Sequence, residues 1–163
     1  MIWLLVALTL VIFMSFSLVV FVGAPYLPTL TPQMQAAIRL ANLQPGDTLL
    51  ELGCGDGKVV AAAAAQGYKV VGYELNPILA VICWARCFKY RRQVKIIWGN
   101  FWSAPWPPAE AIFVFLLPKY MKKLDKKIVQ YSHKPVKLIS FAFEIPGQQP
   151  TKTAQGVFRY DYR

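Results

Sequence analysis

The sequence predicts an α/β fold: a mainly parallel, doubly wound sheet with helices on both faces. Two patterns carry that expectation. Short apolar runs of strand length alternate with stretches of helical spacing from Thr31 to the C-terminus. A glycine-rich turn, Gly53 to Gly57, sits where the first of these runs gives way to a helical stretch. The chain has 163 residues, 56% apolar and 14% aromatic, which argues for a packed domain and against disorder. That length fits one domain and excludes separate cofactor and substrate lobes. Three cysteines, an odd number, do not read as a disulfide framework.

The first element is the run from Ile2 to Gly23, which carries no charge; the first charged residue is Arg39. As one helix it would rise about 33 Å, matching an apolar bilayer thickness of about 30 Å. The sequence therefore predicts a transmembrane helix over residues 1–23. A signal peptide would want a basic start and a shorter apolar stretch. All 18 Lys and Arg lie C-terminal to the run, against 8 Asp and Glu. The positive-inside rule then predicts a single-pass membrane protein, partnered by the lipid bilayer, with its domain on the cytoplasmic or matrix-equivalent side. Residues 24–31, with Pro25 and Pro28, read as a linker, and residues 32–163 as the domain.

Thr31 and Pro32 read as an N-cap followed by proline in the first turn, with Met34, Ala37, Ile38 and Ala41 at helical spacing. The turn Leu43 to Asp47 leads into a strand, Thr48 to Leu52. An alanine-rich helix follows over Val59 to Gln66, then a strand over Lys69 to Tyr73. Pro77 opens a helix to Tyr90, and Val94 to Trp98 and Ala111 to Leu116 are the third and fourth strands. Pro118 to Tyr131 is a helix that turns Met121, Leu124, Ile128 and Tyr131 inward. Val136 to Phe143 is the fifth strand. Val157 to Tyr162 alternates, carries Arg159 and Asp161, and reads as a last strand at or near an edge. Pro146-Gly147 and Pro150 break the stretch before it, so no helix is expected there and the C-terminal part of the fold is truncated.

Chemistry concentrates at the ends of the first three strands. The first runs into Glu51-Leu52-Gly53-Cys54-Gly55-Asp56-Gly57. Glycines let the backbone turn tightly and approach a ligand. The following helix N-terminus presents free N–H groups. The second strand ends in Glu74-Leu75-Asn76, with Glu74 lying 17 residues past Gly57. An acid there accepts hydrogen bonds from the two hydroxyls of a ribose. Asn100-Phe101-Trp102 follows the third strand, where Phe101 can stack on an adenine and Asn100 can bond its exocyclic nitrogen. The candidate cofactor-binding residues are therefore Glu51, Gly53, Cys54, Gly55, Asp56, Gly57, Glu74, Leu75, Asn76, Asn100 and Phe101. Dinucleotide folds use G-x-G-x-x-G with a pyrophosphate on the helix. Here an acid precedes the first glycine; it would repel a pyrophosphate and suits the cationic amino-acid end of S-adenosylmethionine. A glycine turn that merely packs helix on strand explains the glycines and leaves Glu51 and Glu74 unexplained.

With these motifs the chain resembles the class I (seven-strand) S-adenosylmethionine-dependent methyltransferases. Within them it looks like the small membrane-anchored protein-lysine methyltransferases of the adenine nucleotide translocase and ATP synthase c-subunit type, and their prokaryotic relatives. The resemblance covers about residues 24 to 163. It rests on Pro25 to Pro28, Glu51 to Val60, Gly72 to Pro77, Asn100 to Trp102, Pro118 near Met121, and Phe141 to Pro146. It implies a Rossmann-like fold and S-adenosylmethionine as cofactor. It places Glu51, Gly53, Gly55 and Gly57 in the cofactor loop and Glu74 on the ribose. It further implies N-methylation of a lysine in a membrane protein. Glu51 stands where such families commonly have Asp, as does Asn100.

A lysine nucleophile, with a pKa of about 10.4 in water, must first lose a proton. An apolar, aromatic mouth lowers that pKa. Tyr26, Trp102, Tyr120 and Phe143 are candidates for such a mouth, and Glu144 for steering a cationic amine. Two other readings stand beside this one. One is methylation of a lipid, quinone or other small molecule at the membrane. The other is a non-catalytic, membrane-anchored nucleoside-binding module. Cys83 and Cys87, one helical turn apart without further ligands at metal spacing, read as buried thiols, so no metal is expected. Lys119, Lys122, Lys123, Lys126 and Lys127 form a basic face, and Arg86, Lys89, Arg91 and Arg92 another cluster, both suited to anionic lipid. No aromatic platform is interleaved with the lysines, which argues against nucleic acid.

Overall fold

Successive residues of a strand point to opposite faces, and in the first strand, β1 (Thr48–Leu52), this builds the two layers of the molecule. The structure is a computed structural model that describes residues 1–6, 9–10, 26–133 and 135–163. Leu49 packs with Val59, Val60, Ala63, Phe113 and Ile139 beneath helices α1 (Thr31–Ala41), α2 (Lys58–Ala65) and α3 (Pro77–Arg86). Leu50 and Leu52 pack with Ile112, Met121, Leu124, Ile128 and Leu138 against α4 (Pro118–Val129). The remaining strands are β2 (Lys69–Glu74), β3 (Val94–Trp98), β4 (Ala111–Val114), β5 (Val136–Phe141), β6 (Lys152–Ala154) and β7 (Val157–Tyr162). They form one sheet in the order β3-β2-β1-β4-β5-β7-β6. The first five strands pair in parallel, and β7 runs antiparallel to both β5 and β6.

This order reverses between β1 and β4. In open α/β sheets, ligands bind in the crevice outside the carboxyl ends of the strands at such a reversal. The inward residues predicted for α4 (Met121, Leu124, Ile128 and the following Tyr131) are all buried. Several expectations change. Leu30, in extended conformation, caps α1 without a side-chain bond, so Thr31 is the first helical residue and not the cap. The helix expected to reach Tyr90 ends at Arg86 and is followed by a 3-10 turn, Phe88–Tyr90. The sheet itself is not truncated. β7 lies next to the edge, within the expectation of a strand at or near it, and a short strand not expected from the sequence, β6, takes the edge itself. The charges of β7 satisfy one another: Arg159 and Asp161 pair at 2.7 Å, Thr151 Oγ1 donates to Asp161 at 2.7 Å, and Arg159 also donates to the Leu40 carbonyl at 3.2 Å.

The single-pass membrane placement is corrected. Among the described residues no helix is long and apolar enough to cross a membrane. Residues 2–6 and 9–10 are helical, and residues 7–8 and 11–23 of the expected span lie outside the described residues. A span needs about 20 continuous helical residues, more than the described residues of this run present.

Candidate functional site

The glycine loop hangs from the end of β2. The Tyr73 carbonyl accepts the N–H groups of both Gly53 and Cys54 at 2.9 Å. Gly57 then starts α2 at φ +79°, so close to α3 that a Cβ there would lie 2.5 Å from Cys83 Sγ. Gly55, at φ +53°, lies beneath the Tyr26 ring, which a Cβ would approach to 3.0 Å. Neither position admits a side chain without displacing its neighbour.

Glu74 ends β2 and reaches back over this loop. Its Oε2 accepts Gly55 N–H at 2.8 Å, and its Oε1 accepts Asn76 N–H at 2.8 Å. Burial raises its pKa, and these backbone bonds oppose the rise. Its orientation is therefore fixed by two charge-assisted bonds.

Glu51 is the opposite case. It is 4% exposed, and its Oε2 has no hydrogen-bond partner among the described residues. Burial pushes its carboxyl well above the ordinary 4.5, and Cys87, Asp56 and Glu74 nearby add to the effect. The neighbouring sulfurs are thiols: the Cys54 and Cys83 Sγ atoms lie 3.6 Å apart, and that contact raises Cys83. Asp56 holds an ion pair with Arg86 at 2.8 Å.

Between these acids and the ends of β1 and β4 lies a cavity of about 220 Å³. Among the sequence-predicted residues it brings together Glu51, Gly53, Cys54, Gly55, Asp56, Glu74, Leu75, Asn100 and Phe101. It also gathers the mouth candidates Tyr26, Trp102, Tyr120 and Phe143. Its far wall is aromatic: Phe101 and Trp102 lie 4.7 Å apart by centroid, and Trp102 and Tyr120 lie 5.9 Å apart. Asn100 Oδ1 accepts Trp102 N–H at 2.9 Å, which sets the turn between them.

Three predicted residues are not in the lining. Gly57 serves the packing of α2 on α3. Asn76 is fully buried and caps α3, its Oδ1 accepting Ile78 N–H at 2.9 Å and Leu79 N–H at 3.3 Å. Glu144 is exposed, because Ala142, at φ +70°, turns the chain after β5. Asn76→Ala is therefore expected to lower stability by about 1–2 kcal/mol through loss of the cap. Chemical denaturation of the variant checks this, and the cavity's ligand affinity should change less than two-fold.

The sequence reading missed Leu27, Pro28 and Thr29, which line the cavity although they fall in the expected linker. It also missed Phe115, Leu116 and Leu117 after β4. The rule that ligands sit at the strand ends flanking a reversal of order would have found the second group.

Residues 51–152 match the family model described as the ANTKMT methyltransferase domain. The chain belongs to this family. Among its relatives is the human lysine N-methyltransferase of the ATP synthase C-subunit, 29% identical over 138 residues that cover 82% of this chain and 58% of that protein. A protein-lysine N-methyltransferase of Saccharolobus islandicus (strain REY15A) is 28% identical over 130 residues, 77% of this chain and 81% of that one. Among solved structures, an RNA methyltransferase from Salinibacter ruber in complex with S-adenosyl-L-homocysteine superposes with a TM-score of 0.77. It is 25% identical, with 83% of this chain and 93% of that one covered. The chain spans a little over half the length of the human relative. The seven-stranded order and these likenesses make the fold that of the class I, Rossmann-like methyltransferases. Membership in the family thus rests on the segment that begins at Glu51 and contains the glycine loop, Glu74 and the Asn100 turn.

Proposed function

We propose that this chain is an S-adenosylmethionine-dependent methyltransferase that N-methylates a lysine of a protein. The observation that carries the reading is the unpartnered Glu51 carboxylate inside the cavity. A buried, unpaired carboxylate is unfavourable, and a cationic group of a ligand removes that disadvantage. The ammonium end of S-adenosylmethionine is such a group. Each oxygen of Glu74 holds one backbone N–H and keeps acceptor capacity for a ribose hydroxyl. Phe101 offers a ring to the adenine. Asn100 Oδ1, with one lone pair given to Trp102 N–H, keeps another for the exocyclic nitrogen. The residues present therefore fit the cofactor.

S-adenosylmethionine supplies a methyl group activated by its sulfonium. The chain's own residues contribute position and dryness. The aromatic wall of Trp102, Tyr120 and Phe143 excludes water from the acceptor. An amine in that wall is desolvated, so its pKa falls and its neutral, nucleophilic form is populated. Fixing the acceptor in line with the methyl removes much of the entropic barrier. The acceptor class is supported by the human and Saccharolobus relatives, both named for lysine N-methylation.

The test uses the purified chain, a cell lysate and S-adenosylmethionine tritiated in its methyl group. Label in a protein band that yields methyllysine on hydrolysis is the expected result. Label confined to the RNA or organic fraction, or no transfer with any fraction, overturns the reading.

A further inference from the structure

We infer that Lys127 is a positioning residue for the adenine side of the cavity, resting on the cofactor reading above. It is the one half-buried lysine on α4; Lys119, Lys122, Lys123 and Lys126 are exposed. Its Nζ donates to the Trp102 carbonyl at 2.7 Å and to the Ala104 carbonyl at 3.3 Å. It also lies 4.9 Å from the centroid of the Trp106 ring. The Trp106 indole in turn donates to the Phe101 carbonyl at 2.9 Å. Three carbonyls of the segment 101–104 are thus held by one ammonium and the indole it faces. This segment carries Phe101 and Trp102 into the cavity and adjoins Asn100.

Among the described residues the loop has no strand partner. Its local bonds are turns onto Asn100: Ser103 N–H and Ala104 N–H to the Asn100 carbonyl at 3.2 and 3.1 Å, the Ser103 hydroxyl to the same carbonyl at 3.2 Å, and Trp102 N–H to Asn100 Oδ1 at 2.9 Å. From the sheet, the Tyr73 hydroxyl donates to the Pro105 carbonyl at 2.8 Å, beyond the three carbonyls that Lys127 and Trp106 hold. Lys123 adds a cation over the Trp102 ring at 4.4 Å, a contact with a side chain and not with the loop backbone. An ammonium that bridges two carbonyls is a charge-assisted donor, stronger than a neutral one. A helix ordered by Met121, Leu124 and Ile128 thereby sets where the adenine-facing ring stands. Lys127 touches neither cofactor nor acceptor, and its action passes through the loop backbone.

The experiment compares the parent chain with Lys127→Met and Lys127→Arg. Hydrogen exchange is measured without ligand, and S-adenosylmethionine binding by calorimetry. In Lys127→Met, amides 100–106 should exchange about ten-fold faster, and the dissociation constant should rise about ten-fold, as loss of a charged hydrogen bond implies. Exchange in β1, β4 and β5 should stay within two-fold of the parent, which a general loss of stability would not allow. Lys127→Arg, which keeps a cationic donor, should restore most of both effects. Unchanged loop exchange and affinity in Lys127→Met overturn the inference, as does equal acceleration throughout the sheet. Should the parent chain fail to bind S-adenosylmethionine, the cofactor reading falls, and the exchange data alone decide whether Lys127 holds the loop.

Discussion

Replacing Glu74 with alanine is expected to weaken S-adenosylmethionine binding by at least about 100-fold, because each hydrogen bond to a charged group contributes about 1.5–3 kcal/mol and two are lost to the ribose. A second effect adds to the first. Glu74 also anchors Gly55 N–H and Asn76 N–H, so its removal frees the centre of the glycine loop. Both amides lie in a buried setting, and unpaired donors there are unfavourable by about 1–3 kcal/mol each. The loop should therefore relax as well as lose its ribose contact. Glu74→Gln separates the two contributions. Its single amide oxygen can serve one backbone N–H, while the NH2 group faces the other, so affinity should fall by an intermediate factor. Calorimetric titration checks both variants, with circular dichroism confirming that the sheet remains. Affinity within two-fold of the parent in Glu74→Ala would falsify the ribose assignment.

Why does Glu74 line the cavity when Asn76, two residues later, does not? Both belong to one run, Glu74-Leu75-Asn76, and the sequence carries the same motif information about each. The difference lies in the neighbouring helix. Pro77 begins α3, and the Asn76 Oδ1 accepts two backbone N–H groups of its first turn within 3.3 Å, so that oxygen serves as the helix cap. Gly57 shows the same pull of the neighbouring helix: its missing side chain makes room for Cys83. Local patterns reported the strands, the loop and both acids, because those depend on period-2 burial and backbone conformation. They did not report that Leu27, Pro28 and Thr29 would join Tyr26 in the cavity lining, since that contact joins segments distant along the chain. Nor did they report β6, whose three residues are largely exposed and show no alternation. The expectation for the N-terminal run rests on its apolar composition, and among the described residues no helix is long and apolar enough to cross a membrane.

Glu51→Gln should move stability and binding in opposite directions. In the folded chain the carboxyl of Glu51 titrates above its ordinary 4.5 because it is buried, with Cys87, Asp56 and Glu74 contributing. The folded state therefore holds a proton that the unfolded chain has released. Stability consequently falls as pH rises from about that ordinary value, and levels off only above the folded pKa. Glutamine has no proton to lose, so the melting temperature of the variant should exceed that of the parent at pH 8 and approach it near pH 4. A gain of 1 kcal/mol appears as about 2–4 °C in a chain near this size. The slope that remains belongs in part to Glu74, which is raised as well. Binding should show the reverse. The variant presents no charge to the ligand's ammonium, so affinity should fall roughly ten-fold or more, the scale of one charged hydrogen bond. The parent's affinity should also rise with pH as Glu51 ionises, while the variant's contribution from this site is flat. Melting curves between pH 4 and pH 8, and titrations between pH 5 and pH 8, read both effects. A glutamine that lowers melting temperature and affinity together makes Glu51 a support of the fold; one that raises the first and lowers the second makes it a group kept unsatisfied for a cationic ligand.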